Sequence, residues 1–395
     1  MTKVCMFVLH DITYDSRVKR EAKTFSQAGY KVKILDFGDK RTSRSRNLNG
    51  IEVSRIRILT RGLPKNTFFR GVKYLEYLWS ACRQAVRERA DVYHAHDLYP
   101  LVPAFLGARL RGAKVIYDAH ELWTEQAGIS KSVAKVWRKI ERFLLPRVDA
   151  VLTVNEALAE VLHVEYGAKE KPVVVMNCQP HANPGRTLRL AEFLKNRGIQ
   201  GKRIVLYQGA LKPGRGLSQL VRAFEFLEDD IVLVLMGDGA LKQELSVLVR
   251  RLGLDTRVWF HPPVPPDVLL TYTASADLGV VIYENTCRNN YLCLPNKLFE
   301  YLAAGIPIAM CNFPELRKLL RKYEIGREFD PSSPRSIASA IQFCLADPVR
   351  YEQMRVNTQK ALLEYNWENE AAKLLEVYRS LDRQAQKLKE RGEKH

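Results

Sequence analysis

The residues best suited to chemistry in this chain crowd into L-P-N-K-L-F-E-Y-L-A-A-G-I-P, residues 294–307. Pro295 stands where a helix begins, in a first turn where a missing N–H costs nothing, and Gly305 and Pro307 supply the stop signals. On the apolar helix so bounded (Leu298, Phe299, Leu302), Glu300 is the carboxylate. A carboxylate there can accept two hydrogen bonds from a sugar diol, and the unpaired N–H groups of the helix start suit a phosphate. A pocket with both features would hold a nucleotide sugar.

A second cluster is Y-Q-G-A-L-K-P-G-R-G-L, 207–217. Gly209, Gly214 and Gly216 let the backbone approach a ligand, and Arg215 can fork two hydrogen bonds onto a phosphate. The spacing is neither G-x-G-x-x-G nor a Walker loop, which counts against dehydrogenase and kinase chemistry. A glycine-rich turn carrying a solvated arginine is the plainer alternative. In M-G-D-G-A-L, 236–241, Asp238 reads first as a helix cap.

Histidines mark the first half. D-V-Y-H-A-H-D, 91–97, puts His94 and His96 on one face of a strand end, a spacing that could ligate zinc, but no third and fourth ligands stand out. Y-D-A-H-E-L-W, 117–123, places His120 and Glu121 at the next strand end, and ligands of open α/β sheets gather at such ends. A histidine there is otherwise structural. In H-D-I-T-Y-D-S-R-V-K-R-E-A, 10–22, Asp15 or Ser16 would cap a helix whose first turn holds Arg17. A cation there opposes the helix dipole, so Arg17 either contacts an anion or is simply exposed.

These residues need a scaffold, and the pattern supplies one. Strand-like runs at 3–9, 31–37, 51–58, 91–95, 113–118, 149–154 and 172–176 alternate with helical stretches at 17–29, 70–89, 100–111, 131–146 and 156–166. That alternation predicts a doubly wound parallel sheet. A turn-rich linker at about 177–200 ends in a short helix closed by Gly198, and strands resume at 203–209, 231–236, 257–260, 277–283 and 307–311. The expected division is a domain over 1–180, a second over 200–365, and a tail helix over 366–395. The tail's Ala371, Leu374, Leu375 and Tyr378 share one face, and its last dozen residues should fray.

At 395 residues, 46% hydrophobic and 27% charged, two globular domains fit and global disorder does not. No apolar run reaches spanning length, and the N-terminus reads as a strand rather than a signal peptide. Seven scattered cysteines without a C-x-x-C pair suit reduced thiols and a cytoplasmic location. The formal charge of +18 points to an anionic partner, or else to a solvated Lys/Arg-rich surface. The basic helix 131–146 fits either an anionic membrane face or a packed surface position, and the run 41–46 with Arg55, Arg57 and Arg61 adds charge to the same half. Nothing resembles a nucleic-acid reading module, so no specific nucleic acid is expected.

Pro295, Lys297, Glu300 and Tyr301 match the P-x-K-x-x-E-Y variant of the donor motif of retaining GT-B glycosyltransferases of family 4, which the chain resembles from about residue 3 to 380. The paired E-x7-E form is not kept, since Leu292 stands at the first position, with Asn290 and Glu284 nearby. The resemblance implies two Rossmann-like domains, an interdomain cleft and a C-terminal crossover helix. It implies a donor site of Gly209, Lys212, Arg215, Gly237, Asp238, His261, Asn296, Lys297 and Glu300, with Lys212 replacing a basic residue usual at Ala210. His96, Arg215 and Lys297 become the catalytic candidates, and Asp11, Arg17, His96, His120 and Glu121 the acceptor side. The implied reaction moves a hexose, with retention, from a nucleotide diphosphate to a glycan or lipid-phosphate-linked acceptor in envelope or polysaccharide synthesis. UDP-sugars are favoured over GDP-sugars, with no further cofactor. Lacking a D-x-D triplet, the chain should need no metal. A peripheral contact with the inner membrane face is the companion expectation. A sugar-nucleotide epimerase of the same architecture, or a non-catalytic binder of anionic polymers, are the competing readings.

Overall fold

Short apolar runs, each followed by an amphipathic stretch, become parallel strands covered by helical crossovers on both faces. The computed structural model describes residues 1–38, 45–48, 50–64, 66–182 and 184–392. Two compact units result. The first is Met1–Thr124, Gly128–Val175 and Ala371–His395, and the second is Glu125–Ala127 and Met176–Glu370.

The first unit holds β1 (Lys3–Phe7), β2 (Lys31–Phe37), β3 (Ser45–Leu48), β4 (Ile51–Ile56), β5 (Val92–His96), β6 (Lys114–Ala119), β7 (Ala150–Thr153) and β8 (Val173–Val174). Their order is β3-β4-β2-β1-β5-β6-β7-β8, parallel throughout except for the β3–β4 pair. Met6 pairs with Ile34 on one side and His94 on the other, so β1 is central. The covering helices are α1 (Ser16–Gln27), α2 (Thr67–Glu88), α3 (Leu98–Arg111), α4 (Lys131–Leu144) and α5 (Glu156–Val164). β3 is absent from the sequence expectation because S-R-N-L has little strand character. It forms as an edge strand through a turn in which Gly50 N donates to Asn47 Oδ1 at 2.6 Å. It includes the end of the basic run 41–46, of which 41–44 fall outside the described residues.

The second unit is wholly parallel: β9 (Arg203–Gln208), β10 (Ile231–Met236), β11 (Val258–His261), β12 (Leu278–Val281), β13 (Ile308–Cys311) and β14 (Gly326–Phe329), ordered β11-β10-β9-β12-β13-β14. Helices α6 (Arg189–Lys195), α7 (Leu217–Ala223), α8 (Lys242–Arg251), α9 (Leu269–Thr273), α10 (Arg288–Tyr291) and α11 (Asn296–Ala304) come first. They are followed by α12 (Pro314–Tyr323), α13 (Pro334–Ala346) and α14 (Pro348–Glu364), and by α15 (Trp367–Gly392). Two charged residues in G-R-E-F hide β14 from a hydrophobicity reading, yet it pairs fully with β13. Strand order reverses between β1 and β5 in one sheet and between β9 and β12 in the other, which places a ligand crevice at the carboxyl ends of those strands.

From Ala371 onward α15 belongs to the first unit. Leu374, Val377, Tyr378 and Leu381 are buried there, with the Tyr378 ring 4.3 Å from Phe25. Helix persists to Gly392, through most of the segment expected to fray. In α4 part of the apolar stripe packs inside the fold: Trp137 lies 4.4 Å from Tyr99 and 4.9 Å from Tyr74, and Leu144 is buried, while Val136 stays exposed.

Candidate active site

The P-x-K-x-x-E-Y residues are gathered by helical spacing. Lys297, Glu300 and Tyr301 sit at i, i+3 and i+4 on α11, on the face turned to the end of β9. Tyr301 is the anchor: its hydroxyl donates to Leu206 O at 3.0 Å and its ring covers Gly279, where an added Cβ would collide at 2.4 Å. Pro295 precedes the helix with extended backbone, and Gly305 closes it at φ +69°. Glu300 accepts from Gln208 Nε2, and Gln208 Oε1 accepts from Thr273 Oγ1 at 2.9 Å. The carboxylate is therefore aimed by a buried relay that begins on α9.

Lys297 is buried, with Nζ 3.7 Å from the centroid of the Tyr207 ring and 5.5 Å from that of Tyr283. Arg215 lies 4.1 Å above the same Tyr283 ring. Desolvation, then the neighbouring Arg215 charge, brings the Lys297 ammonium down to about 7, with Glu300 opposing. Gly209 stands beside Lys297, and Gly237 presses so closely on it that a Cβ would meet Gly209 O at 2.0 Å. An arginine and a lysine over aromatic faces, beside bare backbone at a sheet switch point, are an arrangement that suits an anion.

The remaining donor candidates divide. Asn296 Oδ1 accepts from Asn177 Nδ2 at 2.7 Å, placing it at the start of α11. Lys212 is exposed on the glycine loop. Asp238 does not cap α8, whose N-cap is Leu241; it accepts from Gly239 N and lies 3.6 Å from Lys242, because a tight Gly-Ala-Leu turn intervenes before the helix. His261 turns its ring between Phe193 and Tyr272 and bonds Pro262 O, while its carbonyl accepts from Gly237 N. The residues considered for the missing carboxylate both hold the glycine loop. Asn290 Nδ2 donates to Gly214 O at 3.3 Å, and Glu284 Oε1 accepts from Gly216 N at 3.2 Å. Sequence reading left Gln208, Tyr207 and Tyr283 unassigned, although the first two lie inside the quoted glycine motif.

In the first unit, Arg17 corrects both of its expected roles. It is only 2% exposed, and its guanidinium pairs with Asp118 at 3.0 Å and Glu21 at 2.9 Å while donating to Val175 O. The anions it contacts are the protein's own. Asp15 caps α1 by accepting from Val18 N, as one of the two residues considered for that place. Asp11 is tied to Arg46 and Arg55, and Arg55 is buried against Asp36, so it adds no surface charge.

His96 is likewise not an open site residue, being 1% exposed beneath His120 with the two rings' nitrogens 3.3 Å apart. β5 ends at His96 and Asp97 turns the chain at φ +67°, which leaves the imidazole inside. His120 is the half-buried member. Burial opposes its charge, but Asp97 and Asp118 together raise it to about 10. Glu121 follows it in the turn after β6, its carbonyl accepting from Trp123 N. Glu21 and Asp118 also supply the carboxylates not found in the sequence: with His94 and His96 they place one ligand atom each within 4.8 Å of one another. Arg17 and the charged His120 pair with Asp118, and burial raises the Glu21 carboxyl to about 8, so a divalent cation would enter a cluster that already holds at least as much positive charge as negative.

The chain matches the description "Glycosyl transferase 4-like domain" over residues 14–178 and "Glycosyl transferases group 1" over 191–361. It belongs to the GT-B glycosyltransferases. Among relatives, this glycosyltransferase is 22% identical over 397 residues to the chitobiosyldiphosphodolichol beta-mannosyltransferase of Candida glabrata, covering 91% of its own chain and 86% of the other. Sucrose-phosphate synthase from Thermosynechococcus elongatus shares the fold with a TM-score of 0.78 at 18% identity, over 96% and 99% of the two chains. HepE of Anabaena, solved in complex with UDP-glucose, does so at 0.73 and 15%, over 96% and 100%.

Proposed function

We propose that this enzyme takes a hexose from a nucleoside diphosphate sugar, UDP-linked before GDP-linked, and passes it with retention to a glycan or lipid-phosphate-linked acceptor on the cytoplasmic side of the envelope. The observation that carries the reading is the pair Arg215 and Lys297, two cations without a carboxylate at ion-pair distance among the described residues. A diphosphate would neutralise both, and the charge developing on it as the glycosidic bond breaks is what they would stabilise. The leaving phosphate would take the acceptor's proton, so no protein nucleophile is required. Glu300, oriented by Gln208, would hold the ribose diol.

Since two lysine and arginine charges meet the phosphates directly, turnover should persist in a chelator. The Anabaena neighbour's UDP-glucose complex and the mannosyl transfer named for the Candida relative suggest glucose and mannose among the sugars to compare. A thermal-shift panel of UDP-, GDP-, ADP- and TDP-sugars in EDTA, on wild type and Glu300→Gln, tests the donor site. One nucleotide class should raise the melting temperature, and the variant should lose that rise. No shift with any of them removes the reading. The anomeric configuration of the product, read by NMR coupling constants, then separates retention from inversion, and donor turnover without acceptor would favour an epimerase.

A further inference from the structure

Helix α2 presents larger and more exposed apolar side chains than the basic helix α4, where Val136 and Phe143 are each 57% exposed. Phe68, Leu75 and Trp79 recur at i, i+7 and i+11 on one face and are 73%, 65% and 71% exposed, while Tyr77, Ala81 and Ala85 on the opposite face are buried. Leu59, 86% exposed, joins them, because Glu76 of α2 accepts from the backbone N–H groups of Leu59 and Thr60.

Charge concentrates on the same segment. Residues 57–89 contain eight Lys/Arg and two Glu, a balance of +6 out of +18 for the whole chain. Both glutamates are turned to protein donors, Glu76 to the 59–60 backbone and Glu88 to Lys33 at 2.8 Å. Arg70, Arg83 and Arg87 remain exposed along the helix.

We infer that α2 and the 59–62 turn form a docking surface for an anionic lipid bilayer, with Phe68, Leu75 and Trp79 entering the headgroup boundary and the arginines meeting lipid phosphates. An aromatic and aliphatic ridge flanked by arginines answers both parts of such an interface, apolar depth and negative surface charge. A second copy of this chain is disfavoured, since it would bring the same +6 against itself. The inference is independent of the donor-site reading, for none of these residues belongs to it.

The test is flotation of the full chain with vesicles of phosphatidylcholine alone or with phosphatidylglycerol added. Binding should require the anionic lipid, weaken with salt, and fall at least about tenfold in Leu75→Glu/Trp79→Glu. Arg83→Glu/Arg87→Glu should lose it as well, whereas Lys135→Glu/Lys139→Glu on α4 should keep it. All these positions are exposed, and unchanged circular-dichroism melts verify folding. Equal recovery with both vesicle types overturns the inference, as does binding indifferent to Trp79. A dimer in light scattering that the Leu75→Glu/Trp79→Glu variant abolishes would assign the surface to self-association instead.

Discussion

A lysine held over a tyrosine face, with an arginine beside it and little water, is poorly placed to keep its proton until an anion arrives. Between about 7 and the ordinary lysine value of 10.5, the unfolded chain holds the Lys297 proton and the folded chain does not. Ligand-free stability contributed by this group therefore rises with pH across that window. A bound diphosphate restores the proton, so binding should take up close to one proton per site near pH 8, and affinity should weaken as pH rises above 7. Titration calorimetry in buffers of different ionisation enthalpy reads that proton directly. Lys297→Met should lose both the affinity and the proton uptake, and uptake that survives the substitution would assign it elsewhere. At this scale the sequence was readable where spacing expresses a shared face, as in Lys297, Glu300 and Tyr301. It was mute about Gln208 and Tyr283, whose roles exist only once β9, α9 and β12 lie side by side.

The first turn of α1 shows how an element converts a surface motif into an interior one. D-S-R-V-K-R-E-A reads as an exposed cap followed by an arginine, and Asp15 does cap the helix. Yet Arg17 and Glu21, one turn apart, both face β6 and enclose Asp118. Helical periodicity alone does not say which face a sheet will cover, so burial of a charged pair was not legible there, and neither was burial of His96 at the end of β5. Arg17→Met should leave Glu21 and Asp118 without their counter-charge and cost about 3–5 kcal/mol. Urea unfolding monitored in the first unit would measure it. A loss below about 1 kcal/mol would mean the surface-pair scale applies instead. His120 should respond too: with Asp118 freed from Arg17, its titration should move further upward, which histidine NMR resonances would show.

On the scale of the molecule, alternating apolar runs made both sheets and their parallel sense legible, because buried parallel strands carry their own hydrophobic signature. The strands missed, β3 and β14, are the outermost of their sheets, where one-sided pairing relaxes that signature. The crossover of the last helix was expected from the resemblance, and α15 does begin in the second unit and continue in the first. Its apolar face was legible, but its partner, the wall made by Phe25, Tyr30 and His94, was not. Tyr378 closes that wall by hydrogen-bonding His94 Nδ1 at 2.8 Å, and Leu374, Val377 and Leu381 are buried beside it. Burial of these four side chains contributes roughly 6–12 kcal/mol, comparable with the entire stability of a domain, about 5–15 kcal/mol. A chain ending at Glu370 should therefore lose the fold of the first unit, seen as rapid proteolysis within residues 1–175 and loss of deep hydrogen-exchange protection in β1 and β5. A chain ending at Arg383 retains all four side chains and should remain protected. If the shorter chain keeps β1 and β5 protected, α15 is an accessory to the first unit rather than part of its core.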